Sequence, residues 1–357
     1  MTTDIKIQRI ESSRIGEVDY DKLAFGKNFC DHMFSLEYFD DAWRNPQILP
    51  YGPVPVEPGA CGLHYGQSVF EGLKAFLGKD GAVRIFRPDM NAKRLHTSCE
   101  RICIPPIDEE VFVRAIVELV KLDKDWIPPK RGEAFYIRPL VFSTEGHLDV
   151  RPSTEFRFLI MTSPVCTYFG DDFRTIALKV EDKYTRAAPG GVGYAKTGGN
   201  YAASLLPGKE SMNAGYNQVL WLDGRDHNYV EEAGQMNIMF KIDDRFITPP
   251  LKGTILPGVT RDSVLTLLRD KGHCVEERAI SINEVIDGSK NGKLQEAFGC
   301  GTAAVICPVG QLFYQNEVYA ISDGKPGPSA TELYNEILGI QLGEIEDKHG
   351  WNVVIAV

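Results

Sequence analysis

One lysine of this chain stands in a setting that no surface lysine requires. Lys196 lies in "GGVGYAKTGGNY", Gly190 to Tyr201, among glycine, alanine and threonine with no other charge beside it. An amine is a nucleophile only when neutral, and burial against apolar groups or a neighbouring cation supplies that form at physiological pH. Small neighbours also let a flat ligand lie against the backbone. The stretch is not a nucleotide-phosphate loop: that pattern needs glycine directly before its Lys-Ser/Thr pair, and Ala195 occupies the place.

Three other groups suit such a lysine. In "VEEAGQMN" two acids, Glu231 and Glu232, follow one another on a strand. Alternation sends them to opposite faces, so at most one is expected to point inward, where a protonated ring nitrogen would offset the cost of its burial. In "LPGVTRD" a helix begins with Gly258, the amides of Val259 and Thr260 and a hydroxyl, which together suit an anion. In "FYIRP" Arg138 interrupts an apolar strand, an expensive placement that a carboxylate partner would relieve.

Strand-like and helix-like stretches alternate along the chain, which predicts α/β and α+β domains. The first half carries the strands "HMFSLEYF" and "QILPYGPVPV", a helix expected over Gln67 to Leu77, and the strand "VRIFRP". Two helices follow, Asn91 to Cys103 and one from Glu109, in which Val111, Phe112, Ala115, Ile116, Leu119 and Val120 form an apolar stripe. The strands "EAFYIRPLVF" and "FRFLIMTSPV" come next. A boundary is expected in "YFGDDFRTIALKV", with Gly170 to Arg174 as its loosest part. This gives a smaller domain over 1–169, an interdomain linker over 170–182 and a larger domain over 183–357 that carries the lysine. The larger domain is expected to hold a helix from about Tyr201, the strand "QVLWLD", one strand "YVEEAGQMNIMFKI", the strand "RFITPP" and a helix over Arg261 to Asp270.

A chain of 357 residues exceeds one ordinary core and fits two domains. With 43% hydrophobic and 25% charged residues it reads as a soluble globular protein, and no apolar run approaches the ~18 residues of a membrane span. A net charge of −10 argues against a nucleic-acid surface, so an anionic ligand needs its own local positive groups. The polar N-terminus with Asp4 and Glu11 has neither secretory nor transit character, which predicts a cytoplasmic protein. Eight scattered cysteines without a CxxC pair and seven histidines without HExxH predict reduced thiols and no metal.

Five motifs, "FEGLKAF", "FYIRP", "YAKTGGNY", "EEAGQMNI" and "ILPGVTR", occur in an order and at intervals that resemble the branched-chain aminotransferases. The resemblance runs from "AFGKNF" to "FGCGTAA". It implies the fold type IV, D-amino acid aminotransferase-like architecture of pyridoxal phosphate enzymes. It implies that Lys196 bonds the cofactor and then moves a proton at the substrate's alpha carbon. Glu232 is implied to meet the pyridine nitrogen, and Tyr201 the phenolic oxygen, with Asn237 on the same cofactor strand. Phosphate falls to Arg94, Val259, Thr260 and Thr302. The substrate carboxylate falls to Tyr136 and Arg138, aided by Tyr65, and its apolar side chain to Phe25, Phe70, Tyr168 and Ala303. Leu148 and Val150 are implied to come from a second subunit, hence a homodimer acting on amino acids and 2-oxo acids. Where some members carry CxxC after "GTA", this chain has Ala304 and only Cys307. Fold type IV also includes D-amino acid transaminases and aminodeoxychorismate lyases; the "YIRP" segment and the aromatic pocket favour the L-branched-chain branch. A cofactor-free binding protein is expected to have lost Lys196, Glu232 or Arg94, all of which are present.

Overall fold

A computed structural model describes residues 4–167 and 173–355. The chain divides into two compact units, the first comprising residues up to Thr167, Ala195–Gly198 and Gly339 onward, the second Tyr168–Tyr194 and Gly199–Leu338.

The first unit is built on a nine-stranded sheet. Its centre is a long antiparallel pair, Ala134–Ser143 against Phe156–Val165, flanked by His32–Phe39 on one side and Leu73–Leu77 on the other. Helix Glu109–Leu122 lays Phe112, Ala115, Ile116, Leu119 and Val120 on the core, and Asp108 caps it by accepting from the amides of Glu110 and Val111. Five of the six residues in the expected stripe are therefore buried, and Val111 packs at its margin.

The expected helix over 67–77 is instead two strands, Ser68–Phe70 and Leu73–Leu77. The apolar spacing there fits a helix, but both segments pair with Ala134–Ser143, and tertiary pairing overrides a weak local preference. Gly72 lies between them because a Cβ there would stand 2.3 Å from the Tyr136 hydroxyl.

In the second unit six strands close a ring. Val230–Ala233, Gln218–Leu222, Ile176–Glu181, Val305–Tyr314, Leu294–Gly301 and Met236–Ile242 follow one another by hydrogen bonding, and the last pairs back with the first. The expected single strand "YVEEAGQMNIMFKI" is the hairpin that makes this closure. Gly234, at φ +58, turns the chain between Val230–Ala233 and Met236–Ile242, a conformation that glycine adopts without strain.

The division differs from the expected one in three places. Ile176–Glu181, inside the expected linker 170–182, is a strand lying between two parallel neighbours. Ala195–Gly198 belongs with the first unit, since Thr197 bridges Val69 and the Phe70 amide donates to the Lys196 carbonyl at 3.1 Å. The C-terminal strand Asn352–Ile355 also belongs there, pairing antiparallel with Val83–Phe86.

Candidate functional site

Lys196 is fixed by its backbone before its amine does anything. Its N–H donates to Ser98 Oγ at 2.9 Å, and its carbonyl accepts from Phe70, so the loop segment is stitched to a helix and a strand of the first unit. The amine lies 4.7 Å from the centroid of the Phe70 ring. Arg138 shares that ring, its Cζ at 4.8 Å, and also lies 5.2 Å from the Tyr136 ring. Two cations on one aromatic ring are held by its quadrupole and oppose one another's charge.

Arg138 donates from Nη2 to the Tyr136 hydroxyl at 2.8 Å, while its Nε is buried with no hydrogen-bond partner. A donor left this way fits the carboxylate expected for it. Phe25 tilts over Tyr136 with centroids 4.7 Å apart. Thus Phe25, Phe70, Tyr136, Arg138 and Lys196 come together in one cluster. Tyr65 instead donates its hydroxyl to the Leu148 carbonyl at 2.7 Å, and the side chains around that contact are open: Leu148 is 67% exposed and Val150 84%. Tyr168 lies outside the described residues.

Arg94 is buried on helix Pro88–Arg101, where the sequence alone suggests surface charge. Its partner is Glu71, fully buried, reached by Nε at 2.7 Å and Nη2 at 2.8 Å. Burial pushes the Glu71 carboxyl up, but the charge and hydrogen bonds of Arg94 and the charge of Lys196 outweigh it, leaving the carboxyl below its usual range. The sequence around Lys196 contains no acid; the fold supplies one from the remote connector between strands Ser68–Phe70 and Leu73–Leu77.

In the second unit the hairpin that closes the ring carries Glu232 opposite Asn237. Glu232 Oε1 accepts from the Leu256 amide at 2.8 Å and from Asn237 Nδ2 at 3.4 Å, and Oε2 pairs with Arg186 Nε at 3.2 Å. Asn237 also donates to the Leu256 carbonyl at 2.9 Å. Arg186 ties this carboxylate to the preceding loop, donating to the carbonyls of Thr254 and Gly193. Tyr201 and Glu232 line one small polar cavity of about 10 Å³ with Arg186 and Asn200, which brings the two expected cofactor ligands together.

Both glutamates of the hairpin are buried, Glu231 at 6% and Glu232 at 3% exposure, which corrects the expectation that at most one points inward. The strand is covered on both faces, so alternation separates the two side chains without exposing either. Burial raises the Glu231 carboxyl above its ordinary value, against the hydrogen bond of Thr254 and the charge of Arg186. The consecutive acids therefore differ: burial is the largest influence on Glu231, while Glu232 is paired with the Arg186 guanidinium.

Helix Val259–Asp270 starts after Gly258, whose extended backbone offers no side chain to its first turn, and Val259 and Thr260 are buried. A Cβ on Gly258 would collide with Asn237 Oδ1, so glycine here keeps the helix start close to the hairpin. Thr302 and Ala303 are half-buried in the turn after strand Leu294–Gly301. Cys307 is buried and pushed up to about 12 by desolvation, so the thiol stays protonated. No cluster of metal-ligating groups occurs among the described residues.

A model of the amino-transferase class IV family matches residues 68–312. The chain belongs to the class IV aminotransferases. Branched-chain-amino-acid aminotransferase 2 of Bacillus subtilis (strain 168) is 47% identical over 348 residues, 97% of this aminotransferase and 96% of the relative. Branched-chain-amino-acid transaminase 1 of the same organism is 48% identical over 339 residues, covering 94% and 95%. The crystal structure of the Escherichia coli branched-chain amino acid aminotransferase superposes with a TM-score of 0.74 at 28% identity, covering 89% of this chain and 98% of that one. The branched-chain amino acid aminotransferase of Thermobaculum terrenum, solved in its PLP-form, shares the fold with a TM-score of 0.76 at 24% identity, covering 92% and 99%. The fold is that of the fold type IV pyridoxal phosphate enzymes.

Each unit of the aminotransferase holds groups that fit its family's cofactor: the first an amine against an aromatic face, the second a fixed buried carboxylate, a phenol beside it and a glycine-led helix start. Sequence reading missed Glu71, Asn91, Ser98 and Arg186. An acid between apolar residues was the available signal for Glu71, in the quoted "FEGLKAF"; Arg186 in "TRAAP" had none.

Proposed function

We propose that this chain is a branched-chain L-amino acid transaminase, exchanging the amino group of leucine, isoleucine or valine with 2-oxoglutarate by a ping-pong mechanism. The observation that carries this reading is the single Phe70 ring shared by Lys196 and Arg138: the amine that must act on the alpha carbon and the guanidinium that must hold the alpha-carboxylate take their positions from one side chain. When bound, pyridoxal phosphate supplies an aldehyde that stores the amino group between half-reactions and a ring that withdraws electrons from the alpha carbon.

The chain's own residues do the rest. Lys196 would hold the cofactor through Nζ and, once the substrate's amino group has displaced it, would carry a proton on Nζ to and from the alpha carbon. Glu232 keeps a proton on the ring nitrogen, Tyr201 donates to the phenolic oxygen, and Asn237 holds Glu232 in place. Arg94, Val259, Thr260 and Thr302 hold the phosphate. Arg138 and Tyr136 orient the substrate carboxylate, and Phe25, Phe70, Tyr168 and Ala303 receive its apolar side chain. Tyr65 aids Tyr136 and Arg138, and the exposed Leu148 and Val150 complete the pocket of a second copy in a homodimer. No described helix is long and apolar enough to cross a membrane. A cytoplasmic location, expected from the sequence, is part of this reading.

Borohydride treatment followed by peptide mapping tests the lysine: the cofactor label is expected on Lys196, and a label on another residue refutes the assignment. L-leucine and D-alanine offered in parallel test the branch, with turnover of L-leucine expected; turnover of the D-enantiomer alone places the chain among D-amino acid transaminases instead.

A further inference from the structure

Glu71 touches no reacting group in the function just proposed, yet it is fully buried and satisfied on every side. Its two oxygens grip Arg94 in a side-on fork, Nε to Oε1 at 2.7 Å and Nη2 to Oε2 at 2.8 Å. Oε2 also accepts from Asn91 Nδ2 at 2.7 Å and from the Gly72 amide at 3.1 Å. Asn91 in turn donates to the Gly72 carbonyl at 3.3 Å. Asn91 and Arg94 are three residues apart on helix Pro88–Arg101 and so share a face, while Glu71 lies in the connector between strands Ser68–Phe70 and Leu73–Leu77. One carboxylate thus locks the helix face to the sheet connector.

We propose that Glu71 is a positioning residue that sets the plane in which Arg94 meets the cofactor phosphate. The inference rests on the reading of Arg94 as a phosphate ligand. An arginine side chain on a helix has several rotatable bonds, and a bidentate carboxylate fixes both the position and the plane of its guanidinium. The pair also cancels the guanidinium's net charge, so Arg94 acts on an anion through directed N–H groups and not as a bare cation. Directed donors select for phosphate geometry, whereas a bare charge attracts any anion. The Asn91 and Gly72 contacts keep the fork from turning.

The test compares equilibrium binding of pyridoxal 5'-phosphate and pyridoxal to the full-length apoprotein. The two probes share ring and aldehyde and differ in the phosphate, so the ratio of the dissociation constant of pyridoxal to that of pyridoxal 5'-phosphate reads the phosphate contribution alone. In Glu71→Gln, which keeps size and one acceptor but loses the charged fork, the ratio is expected to fall about tenfold or more, the effect of losing one well-directed charge-assisted contact. Glu71→Asp keeps the charge and shortens the reach, and is expected to show the same selective loss if Glu71→Gln folds poorly. Arg94→Gln is expected to lower the ratio as well, and the double variant to lower it no further. A ratio unchanged in both Glu71 variants while Arg94→Gln lowers it overturns the positioning role. A ratio unchanged in Arg94→Gln overturns the phosphate reading of Arg94 itself. Equal weakening of both probes in the Glu71 variants makes Glu71 a purely structural group and also overturns the proposal.

Discussion

Replacing Gly72 by alanine tests whether Tyr136 is the element that sets Arg138. The added Cβ stands 2.3 Å from the Tyr136 hydroxyl, 3.1 Å from Cζ and 3.4 Å from Cε2. Tyr136 is buried, and its strand is fixed by pairing with Leu73–Leu77, so the ring must tip instead of sliding. Tipping it breaks the 2.8 Å hydrogen bond from Arg138 Nη2. A hydrogen bond to a charged group contributes about 1.5–3 kcal/mol, which corresponds to roughly a 10- to 100-fold loss. The loss is expected in kcat/KM for L-leucine, carried mainly by KM, because the arginine's role is in binding the carboxylate. The decisive arm is the double variant Gly72→Ala with Tyr136→Phe. Without the hydroxyl the nearest ring atom lies at 3.1 Å and need yield only slightly, so the double variant is expected to match Tyr136→Phe alone within about twofold. A full Gly72→Ala loss persisting on the Tyr136→Phe background refutes the reasoning, since the collision then acts through something other than the hydroxyl.

Arg186→Met leaves the buried Glu232 beside Glu231 without its cation. Breaking a buried pair costs about 3–5 kcal/mol, so urea unfolding is expected to show a loss of that order, with at least half recovered by adding Glu232→Gln; a loss under about 1 kcal/mol counts against the pairing. Asp223 offers a test in pH. Against the upward push of burial, the amides of Tyr229, Asp226, Asn228 and Arg225 hold its carboxyl at about 2, below its ordinary 3.8. A depressed carboxyl stabilises the fold above its unfolded value and loses that contribution as pH falls through the folded one. Asp223→Asn is therefore expected to be less stable than the parent at pH 6, with the difference shrinking between about pH 4 and 2; a difference independent of pH contradicts this account.

Much of this site was legible because its residues sit in settings that bulk composition cannot explain. Lys196 among small residues and Arg138 within an apolar strand each violate an ordinary preference, and such violations mark chemistry, whereas the glycine-led helix start at Val259 gained its meaning from the company of the other motifs. What stayed hidden depended on distance in sequence. Glu71 and Lys196 are remote along the chain, and it is the pairing of Val69 with Thr197 and of Phe70 with Lys196 that brings their segments together. Arg186 looks like any loop arginine until the hairpin at Glu232 folds back toward Thr254. The misread helix over 67–77 failed for a related reason: its apolar spacing suits either structure, and the choice is made by the partner strand Ala134–Ser143. The burial of Glu231 was illegible too, because alternation reports which face a side chain takes and not whether that face is covered.

The pairing of Asn352–Ile355 with Val83–Phe86 has a consequence for synthesis on the ribosome. Strand Val83–Phe86 leaves the exit tunnel well before Asn352–Ile355, the strand that covers its outer edge, has been translated. At about 5–20 residues per second, that edge stays open for roughly ten to fifty seconds in every nascent chain. During that interval its backbone amides and carbonyls can pair with any extended segment nearby, including the same strand on an adjacent ribosome of the polysome. The first unit is thus completed only after the second has been translated, and its yield in a cell depends on what occupies that edge before Asn352–Ile355 arrives.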